Sequence, residues 1–158
     1  MKQHRYNANI TWTGNTGGGT KDYRAYERSH IISIDGKQVI QGSSDPSFRG
    51  DAAMYSPEDL LLSSISACHM LWYLHLCTTA GVIVTAYVDN AEGTMIENAD
   101  GGGRFTQVIL KPVITLQNKN MVEKADELHH KANELCFIAN SCNFPILHQA
   151  KYIIADQL

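Results

Sequence analysis

Apolar residues alternate with polar ones at Tyr6, Ala8, Ile10 and Trp12, the period of a half-buried strand. A second alternation, SHIISIDGKQVIQG from Ser29 to Gly42, is interrupted by Asp35-Gly36. That pair is a favoured two-residue turn, so the segment predicts a hairpin. Gly14 to Thr20 (GNTGGGT) is a flexible loop; no GK[ST] closes it and no helix follows, so it is not a phosphate loop. Gly42 to Tyr55 (GSSDPSFRGDAAMY) has loop chemistry throughout and is long for a connector, the kind of loop that often carries function.

At Ser56 the pattern changes to a helix start. Ser56 can cap, Pro57 suits the first helical position, and Asp59 completes an S-x-x-[DE] capping box. The helix should run to about Thr79 and stop at Ala80-Gly81, roughly 35 Å at 1.5 Å per residue. It is apolar nearly all round. Val82, Val84, Ala86 and Val88 then alternate as a strand, Asp100 to Gly103 (DGGG) is a turn, and Val108, Leu110, Ile114 and Leu116 line one face of a second long strand. These two form a hairpin, with Pro112 marking an edge or a bulge. A second helix begins near Asn120, with Ala125, Leu128, Ala132, Leu135, Cys136 and Ala139 on one stripe. Tyr152 to Ala155 is a short last strand. The expected fold is α+β in the order β-β-β-α-β-β-α-β, with antiparallel sheets wrapped around two long helices. The length of 158 residues fits one domain, Met1 to Leu158.

Leu60 to Cys77 is almost free of charge and nearly long enough to span a bilayer. Ser63, Ser64, Ser66, His69 and His75 interrupt it and basic flanks are lacking, so it reads as a core helix rather than a membrane span. One chain of this size cannot easily cover such a helix, and an intertwined homodimer with the helix at its centre is the simplest remedy. A net charge of −3 implies no broad nucleic-acid-binding surface. The polar N-terminus does not look like a signal peptide, and a cytoplasmic location follows as the expectation.

Four cysteines stand at 68, 77, 136 and 142, with no CxxC pair. Without a secretory signal, thiol chemistry is a better default than a disulfide framework. Taken singly, Cys68 and Cys136 are small buried hydrophobes. Taken together they lie on core-facing surfaces of two helices, which at ordinary packing distance bring sulfurs within disulfide reach. Cys77, about 180° round the helix from Cys68, reads as structural, and Cys142 as incidental.

The stretch SPEDLLLSSISACHM, Ser56 to Met70, resembles the motif of the OsmC/Ohr family of osmotically inducible and organic hydroperoxide resistance proteins. A PE-L segment is followed by an A-C dipeptide, with Cys68 ten residues after Glu58. CFIANSCNFP, Cys136 to Pro145, resembles the family's second-cysteine segment. The resemblance covers most of the chain and implies a thiol-dependent reductase of organic hydroperoxides. Cys68 would be the peroxidatic thiolate and Cys136 the resolving thiol. The partners it implies are an organic hydroperoxide, a dithiol reductant (a lipoylated protein in the Ohr branch) and a second copy of the chain, with no cofactor. An apolar helix disfavours a thiolate, so the chemistry calls for a cation near the reacting sulfur. The family uses an arginine oriented by a glutamate. Glu58 matches the glutamate. Arg49 matches the arginine of the OsmC branch, and Arg24 or Arg28 that of the Ohr branch. Glu58 and Cys68 lie about 15 Å apart along one helix, so they can meet only across a dimer whose helices cross near Ser63 or Ser64. His69 departs from the aromatic common in the family.

Two other readings stay open. Cys68 with His129 or His130 could hold zinc, although no compact spacing is present and His129-His130 sits on a solvated-looking face. A non-catalytic dimer binding a small apolar ligand between the helices accounts equally well for the apolar helix. Met70, Trp72 and Phe137 favour bulky organic peroxides.

Overall fold

Three short strands, Asn9–Trp12 (β1), His30–Ser33 (β2) and Ile40–Gly42 (β3), pair in that order as an antiparallel meander. Ile10 lies opposite Ile32, and Ile32 opposite Ile40, so the branched residues meet across the sheet. The β2–β3 hairpin turns where expected. Gly36 takes a φ of 73°, which disfavours a side chain. The Lys37 N–H closes the turn on the Ile34 carbonyl at 3.0 Å. The computed structural model describes residues 2–155, which form two compact units dividing between Leu61 and Leu62.

Pro57–Ala80 forms α1. Its start is the expected capping box. The Asp59 N–H donates to Ser56 Oγ at 3.1 Å, and the Ser56 N–H donates to Asp59 Oδ2 at 2.9 Å. Ser56→Ala should lower stability by about 1 kcal/mol, read as a lower urea midpoint; an unmoved midpoint would show that the cap contributes nothing. The helix ends in a Schellman pair: the Val82 N–H reaches the Cys77 carbonyl and the Gly81 N–H that of Thr78, with Gly81 at a φ of 72°.

The helix buries one face only. Ile65, His69, Tyr73 and Cys77 recur every four residues and are buried, while Ser63, Ala67, Leu71 and His75 form an exposed stripe. By length and composition α1 could cross a membrane, and only 22% of its apolar window is buried. The expectation of a helix covered on most sides therefore fails for a single chain.

The remaining strands are Val84–Asp89 (β4), Glu92–Glu97 (β5), Gly103–Leu110 (β6), Pro112–Leu116 (β7), Ile146–His148 (β8) and Lys151–Ile154 (β9). They form two sheets ordered β4-β7-β9 and β5-β6-β8. Each of the two strands expected to be long breaks once, at Asn90-Ala91 and at Lys111, and Gln149-Ala150 separates β8 from β9. Hydrogen bonds account for the break. The Lys111 N–H is diverted to Asp89 Oδ1 at 2.7 Å, Pro112 has no N–H to offer, and the Gln149 N–H bonds the Leu110 carbonyl at 2.8 Å. Pro112 opens β7, the central strand of its sheet rather than an edge.

Two further corrections apply. β8 is additional to the expected strands, so the order is β-β-β-α-β-β-β-β-α-β-β. The sheets are mixed, since β6 pairs with β8 and β7 with β9 in parallel. A tight turn makes β5 and β6 antiparallel, but the last strands arrive through a helix, Val122–Leu135 (α2), and a crossover of that length permits parallel pairing. α2 is amphipathic. Its Ala125, Leu128 and Ala132 pack with Tyr73, Cys77, Val82, Ile114 and Leu116 into one core cluster.

Candidate functional site

Cys68 lies midway along α1 and is half-buried; Cys136 is completely buried. Cys136 is the residue at which α2 ends. Its N–H still bonds the Ala132 carbonyl at 2.9 Å, but its own backbone is extended, with φ −66° and ψ 112°. Its thiol lies close enough to that of Cys68 for the two to interact. Burial and then this interaction push the Cys136 thiol up to about 11, against the pull of the Ala139 N–H, which donates to its sulfur at 3.4 Å. All four cysteines are free thiols. The two segments singled out in the sequence thus bring their sulfurs together.

Cys77 is buried, and its thiol is raised by burial, as suits a core residue. Cys142 is half-buried and its Sγ donates to the Ile138 carbonyl at 3.3 Å.

Beside Cys68 along α1, Leu71, Trp72 and His75 line a hollow of about 330 Å³. They follow Cys68 by three, four and seven residues, so they share its side of the helix. Leu71 is 63% and Phe137 70% exposed, and Phe137 meets Trp72 edge-on at 5.8 Å between ring centres. A second hollow, about 400 Å³, lies between α1 and the β4–β5 break, lined by Ser63, Ser66, Ala67, Met70, Asp89 and Asn90 among others.

In the N-terminal unit, Arg49 caps a short 3₁₀ turn, Pro46–Phe48, with a φ of 66°. Among the described residues it is the one non-glycine residue in the left-handed region. Its side chain is exposed and has no hydrogen-bond or ion-pair partner among the described residues. A strained backbone of this kind is a feature that functional sites retain. Arg28 is fully engaged. Its guanidinium donates to the carbonyls of Tyr26 and Tyr23 and lies 4.3 Å from both of their rings. Arg24 is exposed. Glu58, in the first turn of α1, carries a buried, unpartnered Oε2.

The histidines depart most from expectation. The sequence suggests a solvated His129, but this residue is 0% exposed, and His69 is 1% exposed. His69 Nε2 and His129 Nδ1 are 2.9 Å apart in coplanar rings whose centres are 5.2 Å apart. His148 lies against both rings. The spacing of the α2 stripe holds a signal for this burial, since His129 falls four residues after Ala125 and three before Ala132. The zinc reading does not fit. The two nitrogens face each other end to end, whereas ligands of one zinc at about 2.0–2.1 Å would converge on a third point. Among the described residues no group of three or more His, Cys, Asp or Glu is arranged to hold a metal.

A cysteine midway along an apolar helix, meeting a second at the end of a shorter one over bent mixed sheets, defines an α+β thiol-pair protein. The sequence profile of the OsmC-like proteins matches residues 50–149, and the chain belongs to that family. Among solved structures, an OsmC-like protein of unknown function from Vibrio cholerae is 28% identical, with a TM-score of 0.84 over 94% of this chain and 99% of its own. An OsmC-like protein from Mycoplasma pneumoniae is 15% identical, with a TM-score of 0.71 over 96% and 99%. An organic hydroperoxide resistance protein from Elizabethkingia anophelis is 19% identical, with a TM-score of 0.66 over 96% and 98%. The last two establish likeness of fold. No curated protein matches the sequence.

Proposed function

We propose that this chain is a cysteine-based peroxidase that reduces organic hydroperoxides to alcohols. The observation that carries the reading is that Cys68 and Cys136, far apart in sequence, are neighbours whose thiols interact. Cys68 is the more accessible of the two and takes the peroxidatic role; Cys136, buried and held as a thiol, suits resolution. Cys68 attacks the peroxide, the O–O bond breaks, the alcohol leaves with the thiol proton, and Cys68 becomes a sulfenic acid. The Cys136 sulfur then attacks the Cys68 sulfur, a disulfide forms, and the hydroxyl leaves as water with the Cys136 proton. A dithiol returns both cysteines to thiols by exchange. The hollow lined by Leu71, Trp72 and His75, with Phe137 packed against Trp72, supports a bulky apolar substrate.

Arg49 and Glu58 complete the site in this reading. Both are unfinished in one chain: a strained, unpartnered arginine and a buried carboxylate oxygen without a donor. A homodimer in which the exposed Ser63–Ala67–Leu71 stripe of α1 meets its copy would supply the pairing, with Glu58 of one protomer near Cys68 of the other. The protein would work in the cytoplasm, with a dithiol, such as a lipoylated protein, as its reductant.

The test is thiol titration of the reduced protein after one equivalent of cumene hydroperoxide. Four free thiols should fall to two within seconds, with Cys68 linked to Cys136 on peptide mapping. Loss no faster than that of an ordinary exposed thiol would sink the peroxidase and favour a dimer that binds a small apolar ligand.

A further inference from the structure

The segment CFIANSCNFP ends in Asn143-Phe144-Pro145, three residues for which the thiol chemistry has no use. With Arg104, Phe105 and Thr106 of β6 they line a hollow of about 310 Å³. We propose that this hollow binds a small organic anion with a flat apolar body, an aryl carboxylate, held by Arg104 and by the rings of Phe105 and Phe144. The inference does not depend on the thiol-peroxidase reading.

Strand pairing leaves the space. β6 runs Gly103–Leu110, yet β8 pairs with Val108, Ile109 and Leu110 alone. Arg104, Phe105 and Thr106 therefore have β5 on one side and, among the described residues, no strand on the other. The β5–β6 register passes over Thr106, a bulge of the kind that re-aims neighbouring side chains. The chain entering β8 forms the facing wall. It is pinned where the Val108 N–H donates to the Pro145 carbonyl at 3.0 Å.

The apolar part is a pair of rings. Phe105 and Phe144 have centres 5.6 Å apart and planes 28° from parallel. A Cβ at Gly93 of β5 would stand 2.7 Å from Phe105 Cε1, so that glycine makes room for the ring. A flat ligand adds to such a pair by offset or edge-on stacking.

Two polar side chains of the hollow lack partners. The Arg104 guanidinium makes no hydrogen bond or ion pair among the described residues, and neither does the Asn143 amide. Thr106 gives its hydroxyl proton to the Thr94 carbonyl at 3.1 Å and keeps only acceptor capacity. The lining thus holds one positive charge and no carboxylate. A guanidinium meets a carboxylate through two parallel N–H···O bonds. Arg104 is exposed, so an ion pair there contributes little by itself. Burial of an apolar body against the two rings supplies the rest. Charge and ring must be joined in one molecule, which separates an aryl carboxylate from acetate and from an aryl alcohol.

The test is ¹⁹F NMR of 4-fluorobenzoate titrated with the reduced protein, without peroxide, so the outcome is separate from the thiol chemistry. The signal should shift and saturate, with Overhauser contacts to the Phe144 ring. 4-Fluorobenzyl alcohol, which keeps the ring and drops the charge, should bind about tenfold more weakly. Arg104→Gln should weaken the acid by the same factor and leave the alcohol unchanged. Acetate at equal concentration should not displace the acid. Equal affinity for acid and alcohol, full affinity for the acid in Arg104→Gln, displacement by acetate, or Overhauser contacts to Trp72 instead of Phe144 would each overturn the proposal. Absence of any shift would do the same. Should Arg104→Gln fail to fold, the comparison of acid with alcohol in the wild type decides.

Discussion

Cys68→Ser is expected to abolish peroxide-dependent thiol loss, leaving three free thiols before and after one equivalent of cumene hydroperoxide. Cys136→Ser should behave differently. It retains the attacking sulfur, so it should consume peroxide once and stop at a sulfenic acid that dimedone captures on Cys68. The asymmetry follows from the structure. Cys68 is half-exposed on the side of α1 that carries the Leu71–Trp72–His75 hollow. Cys136 is sealed, and its thiol is pushed up to about 11. A dimedone adduct on Cys136 in the Cys68→Ser protein would reverse the two roles.

The second large effect is on stability in acid. His69 and His129 are lowered from an ordinary value of 6.5 to about 4 and about 3, chiefly by burial. The unfolded chain therefore binds protons that the folded chain refuses. Stability is full above pH 6.5 and is lost as pH falls from there towards the folded values. A tenfold bias in proton binding is worth about 1.4 kcal/mol, so the two histidines together should cost about 4 kcal/mol between about pH 7 and pH 5. The check is the urea midpoint against pH for wild type and for a His69→Gln/His129→Gln protein. The double variant should show a much flatter acid limb. Equal slopes would mean that these rings are not kept neutral by burial.

The sequence disclosed local chemistry well and long-range pairing poorly. The capping box at Ser56, the Asp35-Gly36 turn and the Gly81 helix stop depend on neighbours a few residues away, and all three stand. Cys68 and Cys136 were legible as a pair because the segments that hold them resemble the two cysteine segments of one family. The breaks at Asn90-Ala91, Lys111 and Gln149-Ala150 were not, because each depends on a hydrogen bond to a residue distant in sequence, such as Lys111 to Asp89. The parallel partners of β6 and β7 were hidden for the same reason. His129 looks wet in the sequence because Lys131, Glu134 and its neighbour His130 suggest a solvated face, although its place relative to Ala125 and Ala132 points inward. Arg49 matched a motif, but its left-handed backbone is visible only in three dimensions.

Cys136 sits where α2 gives way to extended chain, and Phe137, the next residue, touches Trp72 edge-on. Drawing the Cys136 sulfur from its place beside Cys68 to a covalent bond of about 2.05 Å asks less of a helix end than of a helix interior, so the displacement should pass to Phe137. Trp72 is one of only two tryptophans in the chain. The molecule therefore carries its own optical gauge: indole emission should step once on oxidation and return on reduction, giving the redox state of a single sulfur pair without any added label.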